Sequence, residues 1–400
     1  MRICLIIREF WPLKGGLTLH ALRLGQELAG LGHRFEVVTP FVSKRPGGNN
    51  MFWATEISRD FVNEGVLTHV VGLGLAERLF LLPLKKLQWR SSTRFIAKAM
   101  LRLVYVKKFE KYFAGNDLVH YDGAGMEFLG FAAAKAARNC GKPFLVQPSV
   151  HLGQWGHLPV DFEFFCLADG FLVHSEVEKN YLHSVTHRKV PVHLVYNGID
   201  DILAGNGERF RAKHEISSRI ILYLGRKDHD KGYFLARQAF QKISAQKPEI
   251  HLVCAGPGEG LPSTEKITEL AYISEQDKAD ALNACEFVCV PSEGESFGLV
   301  FLEAGRARKP YLARDLELFE DLLGPNLKSG VRVGSRHGDG RVGLNVEQLE
   351  RAIFDLLSLP PEKRQEMGDA GFVNAARFLW PVTVQRFLDA YSDTIDQISA

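Results

Sequence analysis

Residues Pro291–Ala304 read PSEGESFGLVFLEA and follow a short apolar run that ends at Pro291. This order predicts a buried strand, a glycine-containing loop and then a helix that begins near Phe297. Ligands of open parallel sheets bind beyond the carboxyl ends of strands, and the free N–H groups at a helix start suit a phosphate. Glu295 and Glu303 are about 12 Å apart along a helix, so both carboxylates can face one elongated ligand. Two glutamates on a solvated helix are the alternative interpretation.

Short apolar runs alternate with amphipathic runs along the chain, in two series that meet at an Asn-Gly turn within residues 196–200. Continuous apolar strands that alternate with helices indicate parallel sheets covered on both faces. We therefore predict an α/β chain with two Rossmann-like, doubly wound domains, residues 1–198 and 199–381, followed by a last amphipathic helix over 382–400. The strand candidates are Ile3–Ile7, Phe35–Thr39, Leu118–His120, Phe144–Gln147, Gly170–His174, Val192–Tyr196, Ile220–Leu224, Ile250–Ala255, Phe287–Pro291 and Tyr311–Ala313.

The composition excludes several classes of protein. Of the 400 residues, 46% are hydrophobic and 24% charged, which excludes a disordered or collagen-like chain. The formal net charge is +2, so the whole-chain charge does not favour nucleic-acid binding. The six cysteines form no C-x-x-C pair, which argues against a zinc knuckle or a dithiol redox site. No uncharged stretch reaches the ~20 residues that span a bilayer. We expect a cytoplasmic protein with reduced thiols.

A second candidate phosphate site, Gly225–Gly232, reads GRKDHDKG and directly follows a predicted strand. Arg226 offers a bidentate fork for phosphate oxygens, and Lys231 adds a point charge. Two cations that face a helix N-terminus can neutralise a leaving diphosphate without a metal. Asp228 and Asp230 imitate a D-x-D metal motif. The cations between and beside them can neutralise the diphosphate in place of a metal, so we predict no metal. A charged surface loop is the alternative.

Two features of the first series also point to a binding site. Gly15 and Gly16 lie between the first strand and the first helix, where a backbone without side chains can approach a phosphate or sugar. The G-x-G-x-x-G dinucleotide fingerprint is absent. His151 follows a strand within PSVHLGQWG, whose aromatic and glycine content suggests a pocket wall. His20 and His120 compete with it, since a lone histidine is more often structural than catalytic.

The segment Glu77–Lys111 carries ten Lys or Arg and two Glu, a local net charge of +8. Its residues Arg90, Arg94, Lys98 and Arg102 recur every four positions and predict one helical stripe. A basic stripe beside the apolar run over 79–84 suits an anionic membrane surface or a lipid-diphosphate substrate. Such contact would hold a cytoplasmic protein at the inner membrane face. A solvated helix face is the alternative.

With these segments in place, the chain resembles the retaining glycosyltransferases of the GT-B fold, in particular the large GT4-like family. The resemblance rests on Glu295-x7-Glu303 within P-S-x-x-E-x-F-G-L-V-x-x-E-A, and on Gly225-Arg226 followed by Lys231-Gly232. Matches at Gly15-Gly16, Asn197–Asp200 and Phe378–Trp380 extend it over nearly the whole chain. It implies two domains that face a central cleft, an acceptor-binding N-terminal one and a donor-binding C-terminal one. The last helix would return to pack on the N-terminal domain.

The resemblance also implies a role for each matched position. Arg226 and Lys231 would hold the donor diphosphate, and Glu303 would bind the ribose. Glu295 would bind hydroxyls of the transferred sugar, and His151 would contact that sugar near the reacting centre. The backbone groups expected at the donor phosphates belong to Phe297, Gly298 and Leu299, and to Gly15 and Gly16 from the opposite domain.

The implied activity is the transfer of a sugar, with retention, from a nucleoside-diphosphate-sugar to a glycan, lipid-linked or small-molecule acceptor, as in polysaccharide biosynthesis. No cofactor and no metal are expected. The alternatives are a nucleotide-sugar epimerase or sugar phosphorylase on the same fold, or a non-catalytic nucleotide-sugar-binding protein. The family's G-G-x-x-E is replaced here by Leu316–Glu320, so the sugar preference of relatives cannot be transferred. The base, the sugar and the acceptor are left open.

Overall fold

The computed structural model describes residues 1–13, 15–43, 56–88, 90–150, 155–186, 190–201, 204–324, 328–337 and 341–399. His151, one of the predicted site residues, lies outside these ranges. Within them the chain divides into two compact units. The first comprises Met1–Val150, Gln154–Gly198 and Trp380–Ala400, and the second contains Ile199–Leu379.

The first unit is built on an eight-stranded sheet with the order β3-β4-β2-β1-β5-β6-β7-β8. All neighbouring strands are parallel except β3 and β4, which form an antiparallel pair at one edge. The strands are β1 Arg2–Ile7, β2 Arg34–Thr39, β3 Arg59–Asn63, β4 Val66–Val70, β5 Leu118–Asp122, β6 Phe144–Gln147, β7 Gly170–Val173 and β8 Val192–Leu194. The helices between them are α1 Gly16–Gly30, α2 Leu75–Leu81, α3 Leu84–Leu87, α4 Arg94–Phe113, α5 Leu129–Asn139, α6 Pro159–Phe165 and α7 Glu176–Val185.

The second unit has a six-stranded, fully parallel sheet with the order β11-β10-β9-β12-β13-β14, and a separate two-stranded ribbon. Its strands are β9 Arg219–Leu224, β10 Ile250–Ala255, β11 Ile267–Leu270, β12 Cys285–Val290, β13 Tyr311–Arg314, β14 Gly330–Val333, β15 Ser335–Arg336 and β16 Val342–Gly343. Its helices are α8 Gly207–His214, α9 Tyr233–Gln246, α10 Glu275–Ala284, α11 Leu299–Arg306, α12 Phe319–Leu322, α13 Val346–Ser358 and α14 Pro361–Ala375.

The strand order reverses direction once in each unit. In the first unit, β1 is followed by β2 on one side, while β5 lies on the other. In the second unit, β9 is followed by β10 on one side, and β12 lies on the other. Open α/β sheets bind ligands at such switch points, beyond the carboxyl ends of the strands. The loop with Gly15 and the loops with Arg226 and Glu295 follow β1, β9 and β12.

The last helix, α15, spans Trp380–Ser399 and belongs to the first unit. The ring of Trp380 stacks on that of His20 at 5.1 Å. The hydroxyl of Tyr391 lies 3.0 Å from His120 Nδ1. The predicted α/β architecture with two doubly wound units and a returning helix is confirmed, although the helix begins two residues earlier than predicted. The antiparallel β3–β4 pair was not predicted, because its short and partly exposed strands lack a continuous apolar run.

Gly198 lies where the chain leaves the first unit, and it has no room for a side chain. A Cβ there would lie 2.3 Å from Cδ2 of Trp380. Gly198→Ala should therefore displace the start of α15 and cost about 1–3 kcal/mol of stability, as overpacking does. The measurement is the melting temperature. Gly30→Ala is the matched control, because a Cβ at Gly30 meets nothing within 4 Å, and an equal effect of the two changes would contradict the prediction.

Candidate active site

Two loops of the second unit lie together at the β9–β12 switch point. Residues 225–232 connect β9 to α9, and residues 291–298 connect β12 to α11. The backbone N–H of Glu293 donates to the carbonyl of Asp230 at 2.8 Å. Gly232 has φ +68°, and a Cβ there would lie 2.4 Å from the carbonyl oxygen of Pro291. Only glycine allows this close approach without strain, so the sequence Lys231-Gly232 brings the two predicted segments into contact.

Glu295 lies in the loop before α11, as a helix start after it implies, so the helical rise does not describe its separation from Glu303. Its Oε1 is 2.7 Å from the ammonium of Lys231, and it accepts a hydrogen bond from the hydroxyl of Ser292 at 2.7 Å. The Glu295 side chain is 8% exposed and that of Lys231 is 20% exposed. The Glu295 carboxylate is therefore largely buried and is held by Lys231 and Ser292. Ser292 is part of the P-S-x-x-E motif, but its hydrogen bond to Glu295 was not predicted, because the motif assigns it no role.

The helix that follows offers backbone donors to an anion. It begins at Leu299, two residues later than predicted, with Gly298 as the cap residue at φ +83°. A Cβ at Gly298 would lie 2.8 Å from the ring of Phe319, so this position also requires glycine. The first N–H groups of a helix have no partner within the helix, and their dipoles favour a negative charge. Phe297 is buried and packs edge-on against Phe378 at 5.5 Å.

In the other loop, the Asp228 carboxylate contacts the guanidinium of Arg226 and the backbone N–H of Lys231. Asp228 accepts the N–H of Lys231 through Oδ1 at 2.9 Å, and its Oδ2 lies 3.3 Å from the Arg226 guanidinium. Both carboxylate oxygens are therefore engaged, which gives Asp228 a structural role in the turn. Within the described ranges, the side chains that gather at metal-binding distances are those of His229, Asp230 and Glu293, all on the surface. Arg226 is 58% exposed, so its guanidinium is accessible to a ligand.

Lys227, the third cation of this loop, faces the interior. Its ammonium lies 2.7 Å from Oε2 of Glu269, and both side chains are at most 9% exposed. Glu269 also contacts the Arg237 guanidinium and accepts from the Tyr233 hydroxyl at 2.7 Å. This buried network anchors the loop to β11, which lies two strands away from β9 in the sheet. The sequence pattern singles out Lys231, and the fold shows why Lys227 differs from it, since the Lys227 side chain is 4% exposed and that of Lys231 is 20% exposed.

Glu303, on the second turn of α11, is paired with a lysine that was not predicted. Its Oε1 lies 2.8 Å from the ammonium of Lys278, which also lies 2.7 Å from Glu275 Oε2. Burial alone would lower the pKa of Lys278, but the carboxylates of Glu303 and Glu275 raise it overall. Lys278 and Glu275 share one face of α10 at i,i+3 spacing, a signal that the sequence contains. Nothing in the sequence pairs Lys278 with a residue 25 positions away.

The first unit has a switch-point loop of its own, after β1. Gly15 is the cap residue of α1, in extended backbone at φ −173°. A Cβ at Gly16 would meet nothing within 4 Å, so the packing of this unit does not require that glycine. The competing histidines are interior residues. His20 and His120 are buried, and burial lowers the pKa of His120 to about 3.

The predicted basic stripe is not a single helical feature. Helix α4 begins at Arg94, so Arg90 precedes it. Arg94 and Lys98 are each 18% exposed and contact Glu163, Arg94 at 4.0 Å. Arg102 is exposed. The four-residue spacing is correct, but two of the four cations are already occupied by a carboxylate.

Two family models match the chain in succession. The model for Glycosyltransferase Family 4 matches residues 14–202, and the model for Glycosyl transferases group 1 matches residues 206–373. The second contains both loops of the switch point and both glutamates. The chain belongs to the GT4-like glycosyltransferases of the GT-B fold.

Individual relatives are distant. A D-inositol 3-phosphate glycosyltransferase of Segniliparus rotundus is 26% identical over 245 residues, which cover 56% of this chain and 52% of that protein. A phosphatidyl-myo-inositol mannosyltransferase of Propionibacterium freudenreichii is 29% identical over 211 residues, 49% of this chain and 52% of that protein. The matches thus span about half the length of these GT4-like relatives.

Solved structures support the same fold. A sucrose-phosphate synthase from Thermosynechococcus elongatus has a TM-score of 0.74 at 20% identity, covering 99% of both chains. Anabaena HepE in complex with UDP and glucose has a TM-score of 0.69 at 15% identity, covering 98% of this chain and 99% of that one. In the part of the chain that the structure describes, no helix is both long and apolar enough to cross a membrane.

The two lysines of the β9–α9 loop should respond differently to substitution. Lys227→Met leaves Glu269 buried with one cation fewer, and breaking a buried pair costs about 3–5 kcal/mol. Lys231→Met removes a more exposed partner of Glu295 and should change stability far less. Melting temperatures of the two variants provide the measurement. A Lys231→Met protein as unstable as Lys227→Met would contradict the assignment of Lys227 as the structural cation.

Proposed function

We propose that the chain is a retaining glycosyltransferase that uses a nucleoside-diphosphate-sugar. The proposal rests on the β9–β12 switch point, where Arg226, Lys231 and the start of α11 offer positive charge and backbone donors. Glu295 and Glu303 add two anchored carboxylates, which can accept hydrogen bonds from sugar and ribose hydroxyls respectively. The binding of UDP and glucose by HepE supports a nucleotide donor, although that protein shares only the fold with this one.

The chemistry follows from where charge develops. As the bond from the anomeric carbon to the diphosphate breaks, positive charge grows on the sugar and negative charge on the leaving group. Arg226, Lys231 and the α11 N-terminus stabilise that negative charge without a metal. We favour attack by the acceptor on the face that the diphosphate leaves, with the leaving oxygen taking the acceptor proton, which retains the anomeric configuration. His151 is proposed beside the transferred sugar and Gly15–Gly16 beside the phosphates.

Other enzymes of the same fold would use the same donor site differently. An epimerase would convert the nucleotide sugar without any acceptor, and a sugar phosphorylase would require free phosphate. A non-catalytic protein would bind the nucleotide and turn nothing over. Incubation with the donor alone, with phosphate, and with an acceptor panel separates these activities. We place transfer first because two accessible cations facing a helix start serve the departure of a diphosphate.

The donor site is tested first by binding. UDP, GDP and ADP are screened for a rise in melting temperature, since a ligand at a hundred times its Kd stabilises the native state by about 2.7 kcal/mol. Arg226→Ala and Lys231→Ala should abolish most of the rise and lower turnover by about a hundredfold or more. Lys242→Ala is the control, because Lys242 pairs with Glu347 between α9 and α13. Near wild-type turnover in both site variants would refute the assignment.

A second surface supports a lipid-linked acceptor held at an anionic membrane. On α4, Phe95 is 66% and Leu103 75% exposed, and both lie on one face with Arg102. The neighbouring α2 exposes Leu75 and Leu79 at 75% and 58%. We call these exposed residues of α2 and α4 the α2–α4 surface. The acidic residue of α2, Glu77, is paired with Lys108 of α4 at 2.9 Å.

Exposed apolar side chains beside cations are the pattern of a protein that lies on an anionic bilayer. A solvated helix face needs no Phe and Leu at such exposure, although single exposed apolar residues are common. The concentration of exposed apolar residues on two adjoining helices is what favours the membrane. The P. freudenreichii relative is a phosphatidyl-myo-inositol mannosyltransferase by name, which is consistent with a lipid acceptor.

The membrane contact is tested by co-sedimentation with vesicles. Wild type should sediment with phosphatidylglycerol-containing vesicles, less with pure phosphatidylcholine, and less at high salt because screening weakens the attraction. The double change Phe95→Ser with Leu103→Ser, and separately Arg102→Glu, should each reduce binding. Val373→Ser is the matched control, since Val373 is 73% exposed on α14. Equal binding by all four proteins, or none by wild type, would refute the proposal.

A further inference from the structure

We infer that Lys278 is a positioning residue for nucleotide recognition, which fixes the carboxylate of Glu303 for the ribose. This inference rests on the proposed donor-binding role of Glu303. It concerns a side chain on a different helix, α10, that no part of the family pattern quoted above includes. The ammonium of Lys278 lies between the Glu303 and Glu275 carboxylates, at 2.8 Å and 2.7 Å.

The three side chains differ in exposure in a way that assigns their roles. Glu275 is 59% exposed, whereas Lys278 and Glu303 are 21% and 23% exposed. Glu275 therefore steadies the lysine from the solvent side, and Lys278 reaches inward to Glu303. A lysine held by two carboxylates loses most of its rotamer freedom, so its contact with Glu303 is fixed before a ligand arrives.

The pair also divides the two oxygens of Glu303 between two tasks. Lys278 occupies Oε1, while across the described ranges no residue hydrogen-bonds Oε2. A hydroxyl of a ribose can donate to Oε2, while the ammonium of Lys278 holds the carboxylate through Oε1. Without Lys278 the Glu303 side chain would sample several rotamers, and part of the ribose interaction would be lost on ordering it.

Lys278 could instead act merely as a positive charge that attracts an anionic nucleotide, or as a tie between α10 and α11. These roles predict different observations. If the role is generally electrostatic, loss of Lys278 should weaken the binding of all nucleoside diphosphates equally, with or without the 2′-hydroxyl of the ribose. If the role is structural, loss of Lys278 should lower the melting temperature without altering the discrimination between ribo and deoxy ligands. Only if Lys278 positions Glu303 should its loss reduce the preference for a ribonucleotide over the deoxy form.

The experiment measures the Kd of UDP, GDP and ADP and of their 2′-deoxy forms by calorimetry, on wild type, Lys278→Ala, Lys278→Arg, Glu303→Gln and Lys242→Ala. For the nucleotide that wild type binds, we expect Lys278→Ala to reduce the ribo-to-deoxy preference, with affinity for the ribonucleotide falling about tenfold, the order expected for one hydrogen bond to a charged group. Lys278→Arg should restore most of the preference. Lys242→Ala should leave it unchanged.

Each failure has a distinct meaning. If wild type binds no nucleoside diphosphate, the proposed function fails. If it binds but Glu303→Gln keeps the full ribose preference, the ribose assignment of Glu303 fails and the inference falls with it. If Glu303→Gln loses the preference and a folded Lys278→Ala keeps it, the inference alone is refuted. Equal weakening of ribo and deoxy forms in Lys278→Ala would also refute it, in favour of a general charge effect.

Discussion

The candidate site depends on the close approach of Gly232 to the carbonyl of Pro291. This contact leaves no space for a Cβ, since one would lie 2.4 Å from the carbonyl oxygen. It brings the end of the cation loop against the end of β12, and it therefore sets the distance between Lys231 and Glu295. Because β9 and β12 are neighbours at a switch point, both loops emerge at the same edge of the sheet. Lys231 and Glu295 are 64 residues apart in sequence, yet the backbone geometry of the two loops makes them adjacent.

Electrostatics then organise the edge that this geometry creates. Each accessible cation is already paired with a carboxylate, Arg226 with Asp228 and Lys231 with Glu295. Pairing lowers the cost of holding like charges close together in a half-buried loop. A diphosphate would add negative charge beside Glu295, so its binding must draw Lys231 towards the phosphates and leave Glu295 free for hydroxyls. The ion pair thus couples the two proposed parts of one donor, the diphosphate and the sugar.

The sequence predicts the parts of this arrangement that depend on local pattern. Apolar periodicity predicts the parallel strands and the division into two units, and the matched motif predicts which loops matter. It predicts a helix start near Phe297, whereas a glycine at positive φ delays that start to Leu299. Nor does the sequence pair Lys227 with Glu269, or Lys278 with Glu303, since these contacts depend on which side of a strand or helix faces a partner distant in sequence. The net charge of +2 likewise conceals the basic segment, within which the fold pairs some cations and exposes others.

The departure from the family pattern at Leu316–Glu320 lies against the candidate site. Phe319, from that segment, packs against the helix start, with its ring 5.0 Å from that of Phe301 and in the path of any side chain at Gly298. Arg314, just before it, is buried and donates to the carbonyls of Pro291 and Val342 at 3.3 Å and 2.7 Å. The segment that differs from the family therefore supports the helix start, and Arg314 beside it supports the strand end. Sugar preference in GT4-like relatives consequently gives no guide to the sugar used here, because the wall behind the site is made of different residues.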